Sequence, residues 1–488
     1  MALFLSQKMP NLSLVDTQLF QYTGINAREI DILSYKNKSA EVHKQVEKER
    51  YKASNYNFVF PYEGEEEQDR NKKVLYNSRT NALALIEEEK YKIFENFCKT
   101  GAEIEDKELA ESLKYGGYIL KENLDELEII RLGLMQSRYS TSSLGLTLAP
   151  TSDCNFRCIY CFEKKSIRNA RMTDEVQEKV IEFVRQRANT ISNLQVSWYG
   201  GEPMMALDIV EKLTQAFLEI CEEYKIEYGA GIITNGFWLT KENVERLGKL
   251  KIGSIQVTLD GAPEEHNKRR PLAGGQPTFD RIIQNLKTVK DILPCPVLIR
   301  INTDKENIYQ VDEVLRILKD NELDKVTMPY IAMVENSNDS YVDSSCYQSP
   351  EFSKLEFDFK QRHKMDMTQS YPGLVGNVCS ADSIKGYVID SDGKIYNCWD
   401  EIGMEEYCCG DLMGKAEGNF GEQLSYLMYD PTYDEECRDC KYLPICMGGC
   451  PHKRLYQPEN RCTYMKYQLE EYMKIIAQQI RKRKSEEA

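Results

Sequence analysis

No stretch of this 488-residue chain approaches the ~20 consecutive apolar residues that a membrane span requires. No N-terminal segment sets a charged start before a long apolar run, the mark of a secretory signal. Nor is there a clustered basic patch. The net charge is −15, which argues against a surface for duplex nucleic acid. The run Arg481-Lys482-Arg483-Lys484 is short and reads as a solvated helix end. These absences predict a cytoplasmic protein with neither a membrane nor a nucleic acid as partner, while a neutral or basic peptide suits the acidic balance. What the chain does have is a hydrophobic content of 41%, enough for a sizeable core, and sixteen cysteines. A reducing compartment disfavours disulfides, so cysteines in ligand-like spacing point to metal or cluster binding.

Residues 1–62 show no clear pattern, and 63–73 read as a charged linker or exposed loop, so 1–73 is expected to be an N-terminal extension. Between 74 and 135, two strand-like runs (74–76 and 82–86) precede helical patterns at 87–99 and 106–114, and a further strand or wing at 116–120. Together they predict a small winged-helix-like domain. From residue 144 strands and helices alternate, with strand candidates at 144–149, 194–198, 230–234, 254–259, 296–301 and 325–331. Val176, Val180, Ile181, Phe183 and Val184 form one helical face behind Thr173 as N-cap, and Thr240 starts another helix. Six βα units predict an α/β fold with a parallel, partly closed barrel over 144–335, whose working loops follow the strand ends. Residues 340–462 abandon the repeat for Cys, Gly, Asp and Tyr, and are expected to form a small metal-stapled domain. A C-terminal helix follows over 463–488.

Cys154, Cys158 and Cys161 lie on the loop after the first barrel strand. Three thiolates can hold three corners of an iron–sulfur cube and leave the fourth iron open to a small chelating ligand. A zinc knuckle or scattered buried thiols are the alternatives, although zinc sites usually pair cysteines as CxxC twice or add histidine. This CxxxCxxC spacing, with Tyr160 before the third cysteine, resembles the radical S-adenosylmethionine (SAM) family. There the open iron binds SAM, and an electron from the cluster splits it into methionine and a 5′-deoxyadenosyl radical.

Further segments extend the resemblance. Gly200-Gly201-Glu202-Pro203 ends the second strand and resembles the family's GGEP motif, where glycines let the backbone approach the SAM ammonium. Thr234-Asn235-Gly236 resembles its TNG segment. Thr258-Leu259-Asp260-Gly261, with His266 and Arg270 following, resembles its SLDG stretch. The resemblance implies that the Thr258 hydroxyl and the Arg270 guanidinium hold the SAM carboxylate, with Arg269 as a close rival. His266 is assigned no chemistry.

Cys379, Cys398, Cys437, Cys440, Cys446, Cys450 and Cys462 resemble the SPASM domain of radical SAM peptide-modifying enzymes. The resemblance implies two auxiliary [4Fe–4S] clusters, an outer one on Cys437, Cys440, Cys446 and Cys462, and an inner one on Cys379, Cys398 and Cys450. A fourth inner ligand is open: Cys346, Cys408, Cys409, or none. Cys98, Cys221 and Cys295 are expected to be buried small hydrophobes. The segment 74–135 resembles the recognition element that pairs a leader peptide with a sheet edge. The whole implies a partial (βα)6 TIM-like barrel between a winged-helix-like domain and a Cys-rich SPASM domain. It also implies a maturase of a ribosomally made precursor peptide, forming a thioether or other crosslink, with an electron donor such as flavodoxin or ferredoxin. An anaerobic sulfatase maturase making formylglycine is the second possibility, and a non-catalytic iron–sulfur carrier or scaffold the third.

Overall fold

The computed structural model describes residues 49–64, 71–415 and 417–487. The patternless residues 1–48, positions 65–70 of the charged linker and the Lys484 side chain of the basic run lie outside this description. The chain divides into two compact units.

One unit contains the described residues up to Arg138, together with Ser349–Val378 and those from Asp430 on. Its sheets begin earlier than residue 74. Strand β1 (Tyr51–Ala53) pairs with β5 (Ile119–Lys121), and β2 (Asn57–Pro61) pairs with β3 (Lys72–Asn77), which pairs with β4 (Ala82–Glu87), all antiparallel. Thus 51–61 belongs to the winged-helix-like fold rather than to an extension. The polar residues flanking two short strands hid their alternation. Helix Glu88–Thr100 buries Phe94 and Phe97 and stops at Gly101, whose φ of 70° suits a residue without Cβ. Cys98 lies on its outer face and is exposed, which corrects the expectation that it is buried. Helix Lys107–Tyr115 starts where Asp106 accepts from the Leu109 N–H at 3.0 Å.

The core of this unit joins segments far apart in the chain. Phe58, Phe60 and Tyr76 pack with Tyr472, Met473 and Ile476 of the helix Met465–Glu487. Tyr56, Ile130 and Leu134 pack with Leu443 and Met447.

The second unit holds Tyr139–Gln348 and Cys379–Tyr429. Six parallel strands, β6 (Ser143–Leu148), β7 (Asn193–Trp198), β8 (Glu227–Thr234), β9 (Ile252–Thr258), β10 (Val297–Thr303) and β11 (Thr327–Met333), lie side by side in chain order. Parallel neighbours need long crossovers, and amphipathic helices such as Asp174–Arg185, capped by Thr173, supply them. The sheet does not end at β6. Strand β12 (Gly386–Ile389) pairs parallel with β6, and β13 (Lys394–Tyr396) and β14 (Gly410–Asp411) extend it antiparallel. The outer strands of this nine-stranded order are β11 and β14, so the barrel is open. The expected single domain over 340–462 is therefore divided. Its middle continues the barrel sheet, and its ends belong to the other unit. A four-residue strand carries too short a pattern to show this in sequence.

Buried charge gives a test of the first unit. Arg79 Nε and Glu126 Oε1 are 2.6 Å apart and both nearly inaccessible. Glu126 also accepts from the Ser54 hydroxyl at 2.6 Å and the Asn55 N–H at 2.8 Å. Replacing Glu126 with Ala strands the guanidinium, and should cost about 3 kcal/mol of stability in denaturant unfolding of that unit.

Candidate active site

Main-chain hydrogen bonds stitch the cysteine loop to the loop after β9. Arg157 N–H donates to the Pro271 carbonyl at 2.9 Å, Ile159 N–H to Arg269 at 3.0 Å, and Ala273 N–H to Asn155 at 2.8 Å. Gly200 and Gly201 press against the start of the same loop. A Cβ on Gly201 would sit 2.2 Å from the Asp153 carbonyl oxygen, and one on Gly200, where φ is 95°, would meet Ala149 Cβ at 2.5 Å. Both glycines are therefore required by contact, and Gly200 by conformation as well.

Glu202 closes the next connection. Its buried carboxylate accepts from the Thr234 hydroxyl at 2.7 Å, the Asn235 N–H at 2.7 Å and the Met204 N–H at 3.0 Å. Burial raises its carboxyl pKa against the pull of these donors. Glu202 thus braces the end of β7 to the end of β8, and Pro203 opens the short helical turn that follows. Asn235 in turn donates to Asn155 Oδ1 at 2.8 Å, between two of the cysteines.

Tyr160 is the hub of a buried polar network. Its hydroxyl accepts from Arg270 Nη1 at 2.7 Å and Asn302 Nδ2 at 3.0 Å, and donates to Asp260. One donor and two acceptor sites are all that a phenol has. Arg269, the rival of Arg270, is tied into an ion pair with Asp304 at 2.8 Å. Arg270 is also buried, yet its Nε has no partner among the described residues, and neither does Asn155 Nδ2. His266 Nδ1 accepts from the Asp260 N–H at 3.2 Å, while its Nε2 faces the Thr278 hydroxyl at 3.1 Å. Thr278 donates onward to the Arg270 carbonyl, so His266 Nε2 carries the proton. Burial, and then Arg270 and Arg269, hold its pKa far below the usual imidazole range. His266 is a neutral strut. Thr258 is buried at the end of β9. Asp260, Arg269, Asn302, Asp304 and Asn307 were missed as a network. The signal was present for four of them, since Asp260, Asn302, Asp304 and Asn307 sit at or just past strand ends, while Arg269 ends a short helix.

The three thiols fit a cluster. Burial and Glu202 push Cys154 up to about 12, and burial raises Cys158 and Cys161 as well. Iron binding would take thiolates from all three. Buried donors without hydrogen-bond partners among the described residues, on Arg269, Arg270 and Asn155, suit an anionic chelating ligand. Among the described residues no three His, Cys, Asp or Glu side chains close around a single ion, as a mononuclear zinc site would need.

The other cysteines fall in two groups. Cys379 and Cys398 lie in the barrel unit and interact electrostatically, and burial, with Asp400, Glu401 and Cys379 close by, raises the Cys398 thiol. Gly386 permits the approach of the Cys379 turn, since a Cβ there would lie 1.9 Å from the Ser380 carbonyl oxygen. Cys437, Cys440, Cys446, Cys450 and Cys462 belong to the other unit. There Cys450 N–H donates to the Arg461 carbonyl at 3.1 Å, and Lys466 Nζ lies 3.3 Å from Cys462 Sγ. Cys408 packs with Ala149, Val388, Tyr396 and Ile402, and its thiol donates to the Gly410 carbonyl at 3.1 Å. Cys409 Sγ lies 3.3 Å from the Ile395 carbonyl, and Cys346 is buried beside the Val342 carbonyl.

Residues 148–318 match the family described as the Radical SAM superfamily. That span is a radical SAM domain. The protein is accordingly an enzyme of SAM and a [4Fe–4S] cluster. Among curated relatives, a cysteine-type anaerobic sulfatase-maturating enzyme of Clostridium novyi (strain NT) is 24% identical over 338 residues, 63% of this chain and 88% of that one. Two solved structures share the fold. One is a hexahistidine-tagged anSMEcpe with bound AdoMet (TM-score 0.54, 20% identity, 69% of this chain and 98% of that chain). The other is native anSMEcpe with bound AdoMet and Cp18Cys peptide (TM-score 0.52, 19% identity, 69% and 99%).

The glycine contact makes a sharp prediction. Gly201→Ala drives a methyl into the Asp153 carbonyl and shifts the radical SAM cysteine loop. The variant should lose most of the iron bound there and most SAM affinity. Gly373→Ala, with open space around it and no left-handed backbone, serves as control for iron content and equilibrium binding.

Proposed function

We propose that this enzyme is a maturase that removes a hydrogen atom from a ribosomally made precursor peptide and sets a thioether or other crosslink. Cys154, Cys158 and Cys161 would hold the cluster. When bound, cluster and SAM together supply a 5′-deoxyadenosyl radical for hydrogen abstraction. The Gly200–Gly201 main chain, with Glu202 and Pro203 holding its course, would meet the ammonium of SAM. Arg270 and the Thr258 hydroxyl would meet its carboxylate, and Thr234 and Asn235 would flank it. Cys437, Cys440, Cys446 and Cys462 would carry an outer auxiliary cluster, and Cys379, Cys398 and Cys450 an inner one. The inner set has three thiols, so it would leave an iron open to a substrate thiolate, as thioether formation needs. Cys408 in its apolar core is a poor fourth ligand.

The observation that carries the reading is the edge of β4. Among the described residues β4 pairs only with β3, and a free edge accepts an extended peptide as an added strand. The Cp18Cys peptide bound to one of the fold relatives supports a peptide substrate here. A second reading, formylglycine formation on a sulfatase, is favoured by the name of the curated relative. The β4 edge favours the first, because a leader needs a dock separate from the reacting residue.

Replacing Cys154, Cys158 and Cys161 together with Ala should remove about four irons per chain and end 5′-deoxyadenosine formation. SAM cleavage by the triple variant would refute the assignment. Cutting the chain near residue 140 would not test the dock, because the core around Phe58 and Tyr76 is completed by the C-terminal helix. Proline at Ala84 or at Leu85 does, since adjacent strand residues direct their N–H groups oppositely. Whichever variant stays folded and cleaves SAM should bind the precursor about tenfold more weakly. Unchanged affinity, with turnover of a sulfatase-derived Cys or Ser peptide to formylglycine, would favour the second reading.

A further inference from the structure

A cavity of about 310 Å³ opens above the C-terminal ends of β6 and β12, between the segment that follows Cys161 and the β12–β13 hairpin. That volume is at the low end of ligand pockets, roughly 300–1,000 Å³, and suits one side chain. Glu163, 7% exposed, lines it. Among the described residues the Glu163 carboxylate makes no ion pair, and it is open to the cavity. Ser391, 1% exposed, lines it too, and its hydroxyl has no partner among the described residues. Asp390 adds a third acidic or hydroxyl group from the same hairpin, with its oxygens already taking the Asp392 and Lys394 N–H groups at 2.9 and 3.0 Å and the Tyr396 hydroxyl at 3.2 Å. Three cations line the cavity as well: Arg168 pairs with Asp392, Lys394 with Glu405, and the largely exposed Lys165 lies 3.9 Å from Asp339. The interior is therefore acidic and under-satisfied, while the rim is neutralised.

A hydroxyl sealed without a partner is costly unless a ligand completes it, and the carboxylate beside it in the same cavity suits a ligand that donates to both. A bare metal ion does not fit, because among the described residues no three ligating side chains converge. We propose that this cavity receives a basic side chain, lysine or arginine, of the peptide substrate, with Glu163 pairing its charge and Ser391 accepting a second hydrogen bond. The inference rests on the peptide-maturase reading and gives it a specificity: a basic residue close in sequence to the one that reacts, since Glu163 is two positions beyond Cys161.

The test titrates the cluster-loaded, full-length enzyme with capped tripeptides Ac-Gly-Xaa-Gly-NH2, where Xaa is lysine, arginine, norleucine or glutamate, and with agmatine. Lysine or arginine peptides should bind at least about tenfold more tightly than norleucine, the gain expected of a charge-assisted hydrogen bond. Glu163→Gln should erase the preference, and Ser391→Val should weaken it severalfold. Iron content and thermal melting identify a variant that has not folded, and the serine variant then decides. Equal binding of lysine and norleucine with no binding of agmatine, or a preference that survives in both folded variants, overturns the pocket and leaves the maturase reading standing. Binding of agmatine with indifference to every tripeptide overturns the peptide occupant and the reading beneath it.

Discussion

The site depends on main-chain contacts between the cysteine loop and its neighbours. Three backbone hydrogen bonds to residues 269–273, and the close approach of Gly200 and Gly201, set the path of the loop before any side chain acts. Backbone contacts of this kind have little rotamer entropy to lose. They hold the cysteines on a fixed frame and leave the thiols free for ligation. This is also why the glycines are sensitive positions. A methyl there meets a carbonyl oxygen, not the movable end of a side chain.

The polar network around Tyr160 works on the same frame from the inside. Burying Arg269, Arg270, Asp260 and Asp304 costs solvation that their pairing only partly returns. What the arrangement secures is discrimination between two adjacent arginines. Arg269 is neutralised by Asp304, with Asp260 at 3.8 Å, whereas Arg270 is held by a phenol and makes no ion pair among the described residues. Sequence alone left these two as rivals, because adjacent arginines on one short helix end look alike. Only the partner across the barrel tells them apart, and Asp304 lies 35 positions away from Arg269.

Much of the barrel was legible. Strands β6, β8, β9 and β10 each carry three or more consecutive buried residues, and Thr173 and Thr240 cap their helices as their positions suggested. The strand-end motifs were legible too, because Gly-Gly and Thr-Asn-Gly interrupt apolar runs abruptly. The N-terminal strands 51–53 and 57–61 were not. They are short, and their partners lie at 119–121 and 72–77, so nothing local marks them. Strand β12 was hidden for the same reason among cysteines and turns. Cys98 was misread because a helix with Phe94 and Phe97 inside suggests an apolar neighbour, while its own position faces solvent.

The division of the cysteine-rich region follows from how little apolar material it has. Residues 379–429 obtain a core by adding β12 to the open edge of the barrel sheet, where Val388 packs with Ala149 and Tyr396. Residues 430–462 obtain theirs from the N-terminal sheet, through Leu443, Ile445 and Met447. A segment that cannot bury enough surface by itself borrows an existing core. The consequence is functional as well as architectural. The outer set of cysteines shares a folding unit with the strand edge at β4, and Cys379 and Cys398 share one with the CxxxCxxC loop. A substitution that unfolds the N-terminal sheet therefore threatens the outer cysteines directly, whereas the CxxxCxxC loop, its glycines and the Tyr160 network are braced wholly within the other unit.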